Sequence, residues 1–166
     1  MTECAAVPSR RDQIRMSDEE LRGFLDEQRI LVVATEGQQG RPHLTALWYV
    51  MRDGDPWIFT YARSQKVRNL ERVARATLLL ESGESYAEMR GAMLYADATI
   101  HHDEATVAEV GERLFMRYDG LAPIGADGFD ETTRAGLRTS FSKRVAIHFR
   151  PTRVVTWDHA KLGGAY

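Results

Sequence analysis

The stretch from Gly40 to Leu70, GRPHLTALWYVMRDGDPWIFTYARSQKVRNL, constrains this chain more than any other. Two β-rich runs, His43 to Arg52 and Trp57 to Tyr61, flank Asp53-Gly54-Asp55-Pro56, whose glycine and proline favour a reversal. The pattern predicts a hairpin. Ala62-Arg63-Ser64-Gln65-Lys66 follows and opens a helical pattern. A helix that starts just past a strand leaves its first N–H groups unpaired, and its dipole attracts an anion to that end. Ser64 is placed to cap this helix, and Lys66 adds a full positive charge.

Neither parity of the first run suits water: Leu44, Ala46, Trp48 and Val50 alternate with His43, Thr45, Leu47, Tyr49 and Met51. The strand is therefore expected to be covered on both sides. The small Thr45 and Ala46 would let a flat, phosphate-bearing ring approach the backbone. Spacing alone leaves a second reading open, and favours it: a buried hairpin followed by an ordinary capped helix.

Elsewhere, elements alternate at short intervals. Met1 to Arg15 lacks helical or strand period and reads as a disordered leader, with Met16 a candidate alternative start. Ser17-Asp18-Glu19-Glu20 is a capping box opening a helix with Leu21, Phe24 and Leu25 on one stripe, ending near Gln28. Ile30 to Thr35 reads as a strand buried on both faces, and Thr77 to Glu81 as another short apolar strand. Tyr86 to His101 reads as a long strand interrupted at Gly91, a residue that marks a bulge or a close backbone approach. Asp103-Glu104 opens a helix with Val107, Val110, Leu114 and Phe115 at helical spacing, ending by Gly120. Leu121 to Phe129 reads as loop, Asp130 to Ser140 as loop with a short amphipathic helix, and the two as a cover over a site. Val145 to Phe149 and Val154 to Trp157 are strands separated at Pro151, and residues 161–166 are a tail. Seven strand candidates with short reversals predict a mainly β, antiparallel barrel with peripheral helices, one domain over residues 16–160.

Several chemistries are excluded or weakened. A net charge of −2 and a pI near 6.2 give no reason for a nucleic-acid or membrane partner. Cys4 is the single cysteine and cannot form an internal disulfide, so a cytoplasmic protein is expected. Arg10-Arg11 is followed by Asp12-Gln13-Ile14-Arg15 rather than an apolar segment, which argues against an export signal. None of the five histidines has metal-ligand spacing, and adjacent His101 and His102 on a strand face opposite ways. No G-x-S-x-G or G-x-G-x-x-G strand–helix unit occurs. Glu88 and Arg90 read as a pair on a solvated face, and Arg63, Arg68, Arg72 and Arg75 as helix surface, with Arg63 able to join Lys66 at an anion.

GRPHLTALWYV, followed after the next strand by SQKVRNL, resembles the signature of the pyridoxamine-phosphate-oxidase-like, FMN-binding split barrels. Among these it is most similar to the flavin/deazaflavin oxidoreductases of class B, over roughly Ser17 to His159. The resemblance implies an antiparallel split β-barrel and a homodimer with its cofactor between the subunits. It implies a phosphate held by Ser64, Gln65 and Lys66, and a ring along Leu44, Thr45, Ala46, Leu47 and Trp48 with Thr60 and Tyr61 nearby. It assigns no catalytic side chain and no metal; the cofactor carries the hydride chemistry. The SQK triplet is similar to the branch that uses coenzyme F-420, whose phosphodiester and acidic tail suit Arg63, Lys66 and Arg68. FMN is the alternative. The implied acceptor is a conjugated small molecule such as a quinone, enone or tetrapyrrole. The chain lacks the C-terminal Arg-x-His-type element of true pyridoxamine-phosphate oxidases. A barrel that binds a flavin, deazaflavin or haem without turnover is the non-enzymatic alternative.

Overall fold

The structure, a computed structural model, describes residues 9–118, 131–132, 135–136 and 141–163. Seven strands form one sheet in the order β2-β1-β5-β6-β7-β4-β3, with every neighbouring pair antiparallel. They are β1 (Leu31–Glu36), β2 (Pro42–Leu47), β3 (Val50–Arg52), β4 (Asp55–Tyr61), β5 (Arg75–Ser82), β6 (Arg90–His101) and β7 (Arg144–Asp158). The α-helices α1 (Arg10–Gln13), α2 (Asp18–Glu27), α3 (Gln65–Arg72) and α4 (Glu104–Tyr118) accompany them.

The order itself requires the sheet to curl. β2 and β3 lie at opposite edges, yet only Trp48 and Tyr49 separate them along the chain. In a flat sheet, six strand spacings would hold those edges about 29 Å apart. The three peptide steps from Leu47 to Val50 span at most about 11 Å. The sheet is therefore rolled into a half-barrel that brings its two edges together.

This crossing corrects the hairpin expected from the sequence. His43 to Arg52 is not one strand: it breaks at Trp48-Tyr49, β2 pairs with β1, and only β3 pairs with β4. The reversal is tighter than expected, since Asp53 (φ 55°) and Gly54 (φ 88°) alone make the turn and Asp55-Pro56 already belongs to β4. Tyr49, 0% exposed, locks the crossing. Its hydroxyl donates to the carbonyls of Leu25 and Gln28 at the end of α2, at 3.1 Å for the latter. Its backbone exchanges two bonds with the Tyr118 hydroxyl at the end of α4, at 3.2 and 2.9 Å. Burial in this socket raises the Tyr49 pKa above the usual phenol value.

β2 is also not covered on both sides. Having one neighbour, it leaves Leu44 63% exposed and Trp48 47% exposed in the single chain. The two C-terminal runs, by contrast, merge. β7 continues through Pro151 as 15 residues, because the ladder to β6 shifts register opposite Tyr95 and Ala96 and so tolerates a residue without an N–H. Gly91 is no interruption but a close approach: a Cβ there would lie 2.2 Å from Trp157 Cζ2. Tyr86–Glu88 is a 3-10 turn ahead of the strand, and Arg90 pairs with Glu27 of α2 at 2.6 Å instead of Glu88.

Two apolar cores result. Inside the roll, Leu31, Val33, Ile58, Val67, Leu70, Leu78, Leu94 and Phe149 are buried with Phe24 and Leu25 of α2. Outside it, α4 lays Val107, Val110 and Leu114 against Val50, Trp57 and Ala146. Residues 9–15, expected within the leader, form the capped turn α1, and the Ile14 carbonyl accepts from the Asp158 amide at 2.7 Å. Residues 1–8 lie outside the described residues. Of the expected tail, Lys161 packs back, donating to the Arg15 carbonyl at 2.8 Å and Glu20 at 2.6 Å, and residues 164–166 lie outside the description. The loop at 121–129, and most of 130–140, also fall outside it. No helix among the described residues is long and apolar enough to cross a membrane.

Candidate functional site

α3 starts three residues after β4 ends, so its first turn sits at the rim of the roll. Ser64 occupies the N-cap position with extended backbone, but its side chain makes no capping bond, against expectation. Its Oγ is buried and has no partner. The first-turn amides that a capping serine would satisfy stay available.

Lys66 points inward instead of into solvent, because Val67 and Leu70 of the same short helix must face the core and turn residue 66 with them. The side chain is 7% exposed and Nζ donates to Thr60 Oγ1 at 3.0 Å. No carboxylate among the described residues pairs with it. Desolvation holds its pKa below the usual lysine value. A buried ammonium whose partner is a neutral hydroxyl is electrostatically under-compensated.

A polar chain ties this helix to β2. Gln65 Nε2 donates to Asn69 Oδ1 at 2.9 Å, and Asn69 Nδ2 donates to Thr35 Oγ1 at 3.0 Å. Thr35 Oγ1 lies 3.5 Å from the His43 carbonyl, which it pairs across the β1–β2 ladder. Cross-strand partners share a face, so His43, Thr45 and Leu47 turn toward the same side as Thr35, Val33 and Leu31. Thr45 Oγ1 is, like Ser64 Oγ, buried without a partner.

On the other side of β4 an apolar cleft of about 370 Å³ opens between the strand crossing and α4. Ala46, Leu47 and Trp48 line it with Ile30, Phe59, Leu114, Phe115 and Arg144. Trp48 stacks on Tyr118, ring centres 4.8 Å apart and planes 11° off parallel. Tyr61 is exposed at the end of β4, and the Arg144 guanidinium lies 4.2 Å from its ring centre.

Seven of the ten expected site residues thus fall into two groups. Thr60, Ser64, Gln65 and Lys66 meet at the start of α3; Ala46, Leu47 and Trp48 meet in the cleft; Leu44 is on the open outer face of β2. Sequence reasoning passed over Arg144, Phe59, Asn69 and Thr35. Asn69 left a signal, standing four residues after Gln65 in a helical stretch where such a pair can bond; Arg144 left none, since only folding sets it against β4. No group of three or more metal-ligating side chains converges among the described residues.

A rolled antiparallel sheet with a helix start at its rim and an aromatic cleft beside it defines the split-barrel class of flavin-binding folds. The chain belongs to the pyridoxamine 5′-phosphate oxidase family, whose model matches residues 17–158. It is similar to the solved structure of the conserved hypothetical protein Rv2991 from Mycobacterium tuberculosis, at 33% identity and TM-score 0.83, covering 96% of this chain and 95% of that one. An F-420 reductase superposes with TM-score 0.60 at 20% identity, covering 89% and 98% of the two chains. An FAD-binding protein (mll6688) from Mesorhizobium loti superposes with TM-score 0.61 at 13% identity, covering 85% and 94%. No curated protein matches the chain.

Proposed function

We propose that this protein is an oxidoreductase that binds coenzyme F-420 and delivers hydride to a conjugated small-molecule acceptor such as a quinone or enone. The observation that carries the reading is the buried Lys66 ammonium at the start of α3, paired among the described residues with nothing more charged than Thr60. Anion binding there relieves an electrostatic deficit already present in the fold. The orphaned Ser64 Oγ adds a polar group to the same corner, and Gln65 contributes its amide.

The residues fit such a cofactor. Ser64, Gln65 and Lys66 would hold its phosphate, with Thr60 steering the lysine, while Leu44 to Trp48 and Tyr61 would border its ring. The exposed Arg63 and Arg68 flank the corner and suit an acidic tail, which favours F-420 over FMN. When bound, the cofactor supplies the hydride. The protein's own residues bind, orient and exclude water: Trp48, Leu47 and Phe59 present a largely apolar wall that keeps solvent from the reacting face. The open outer face of β2, with Leu44 and Trp48 exposed, supports a homodimer that completes the cofactor site.

Fluorescence titration of the purified protein with F-420 and with FMN tests the assignment. Tighter binding of F-420, with acceptor reduction across a quinone and enone panel, is the expected outcome. Preference for FMN would move the chain to a flavin oxidase or reductase of the same fold. Tight binding with no acceptor reduced would make it a carrier, and no binding of either would end the proposal.

A further inference from the structure

Among the described residues, Arg144 is the one charged residue lining the cleft beside β4, and the reading above gives it no task. It pairs across the ladder with Tyr61, and its guanidinium lies over two rings, 4.2 Å from Tyr61 and 4.7 Å from Phe59. These two ring contacts hold the guanidinium against the face of β4. Its Nε is buried and has no hydrogen-bond partner, and it forms no ion pair among the described residues. Other arginines are matched: Arg52 with Glu109, Arg72 with Glu36, Arg90 with Glu27 and Arg150 with Asp97. Arg144 is thus a planar cation beside an apolar cleft, held by aromatic contacts and without an ion pair among the described residues.

We infer that Arg144 is a specificity-determining residue that selects, for this cleft, a flat conjugated molecule bearing a carboxylate. A guanidinium fork accepts a carboxylate through two parallel N–H donors, a geometry that an ammonium cannot copy. The body of such a ligand lies against Phe59, Trp48 and Leu47, where aromatic and aliphatic surface is already exposed to the cleft. At about 370 Å³ the cleft is near the lower end of ligand-site volumes, about 300–1,000 Å³, which suits one or two rings. The inference deepens the proposed function by naming the acceptor class, and rests on it for that purpose alone. Carboxylate capture by Arg144 can be measured without any cofactor.

The test uses 2-naphthoate and its neutral analogue 2-naphthamide as probes, titrated calorimetrically into the full chain without cofactor. The expected result is naphthoate binding about tenfold or more tighter than naphthamide, and a loss of that preference in Arg144→Gln. Arg144→Lys should keep part of the charge attraction yet lose most of the preference, because the fork is gone. Equal binding of the two probes by the wild-type protein overturns the inference whether or not any variant folds. So does a preference that survives in a folded Arg144→Gln. A second arm separates the two sources of a carboxylate: F-420 titrated into Arg144→Gln should bind as in wild type. A large loss there would assign Arg144 to the acidic tail of the cofactor and overturn its role in acceptor choice. Failure of F-420 to bind wild type, with naphthoate preference intact, would sink the proposed function and leave the cleft assignment standing.

Discussion

Replacing Lys66 with methionine should make the protein more stable and its cofactor binding weaker. Methionine keeps most of the stem volume and removes the charge. In the wild type that charge is 7% exposed and has one hydrogen bond, to a neutral hydroxyl at 3.0 Å. Relieving an uncompensated buried charge returns about 1–4 kcal/mol, while Thr60 loses a donor at a cost of about 1 kcal/mol. A net gain of about 0–3 kcal/mol at pH 7 follows, a Tm rise of up to about 12 °C for a chain this size. The pH dependence has a definite sign. Burial lowers the Lys66 pKa below 10.5, so the unfolded chain holds that proton more tightly than the folded one. The penalty is complete below the folded pKa and fades as pH rises from there toward 10.5. The stability gap between variant and wild type should therefore narrow at alkaline pH. Tyr49, whose raised pKa makes stability fall above pH 10.0, is common to both proteins and cancels in the difference. Loss of a charge-assisted contact should weaken F-420 binding by about 1.5–3 kcal/mol, roughly 10- to 150-fold in Kd. Urea unfolding at pH 7 and 10 and a fluorescence titration measure both effects. A variant less stable than wild type at pH 7, with cofactor affinity unchanged, would refute the reasoning, since the ammonium would then be satisfied within the chain.

Three further changes probe the scaffold. Asn69→Ala cuts the link between α3 and Thr35 in a buried setting and should cost about 1–3 kcal/mol in urea unfolding; a change under about 0.5 kcal/mol would show the link to be idle. Gly91→Ala places a Cβ 2.2 Å from Trp157 and 2.9 Å from the Leu80 carbonyl, so the indole must move, at about 1–3 kcal/mol. Its tryptophan emission should shift, and an unchanged spectrum with unchanged stability would contradict the close approach. Tyr49→Phe removes the hydroxyl that caps two α2 carbonyls and should cost about 1–3 kcal/mol, with faster amide exchange at the end of α2; protection equal to wild type would mean that the crossing is held by packing alone.

Local signals in the chain were read well where the physics is local. The Ser17–Glu20 capping box, the apolar face of α4 and the Asp53-Gly54 reversal each depend on residues within a turn of one another. The break at Trp48-Tyr49 had no such mark, because both residues favour strand and the bonding partners of Tyr49 lie 24 and 69 positions away. Pro151 pointed to an end of a strand and instead sits where β7 is out of register with β6. The site followed the same division. A helix start with a lysine after the hairpin was legible; whether that lysine faced solvent or the core was not, because the answer came from Val67 and Leu70 docking inside the roll.

By itself, then, the order of amino acids determined most of the strands and helices, though not all their bounds, and that a cation follows the second of the β-rich runs near its middle, since periodicity and capping are interactions between near neighbours. Only the tertiary structure decided that residues 47 and 50 belong to opposite edges of one sheet, that Lys66 is buried on Thr60, and that Arg144 stands beside the aromatic cleft with no ion pair among the described residues. Those outcomes depend on contacts between distant segments, and the free energy of closing the roll selects among arrangements that local propensity leaves equal.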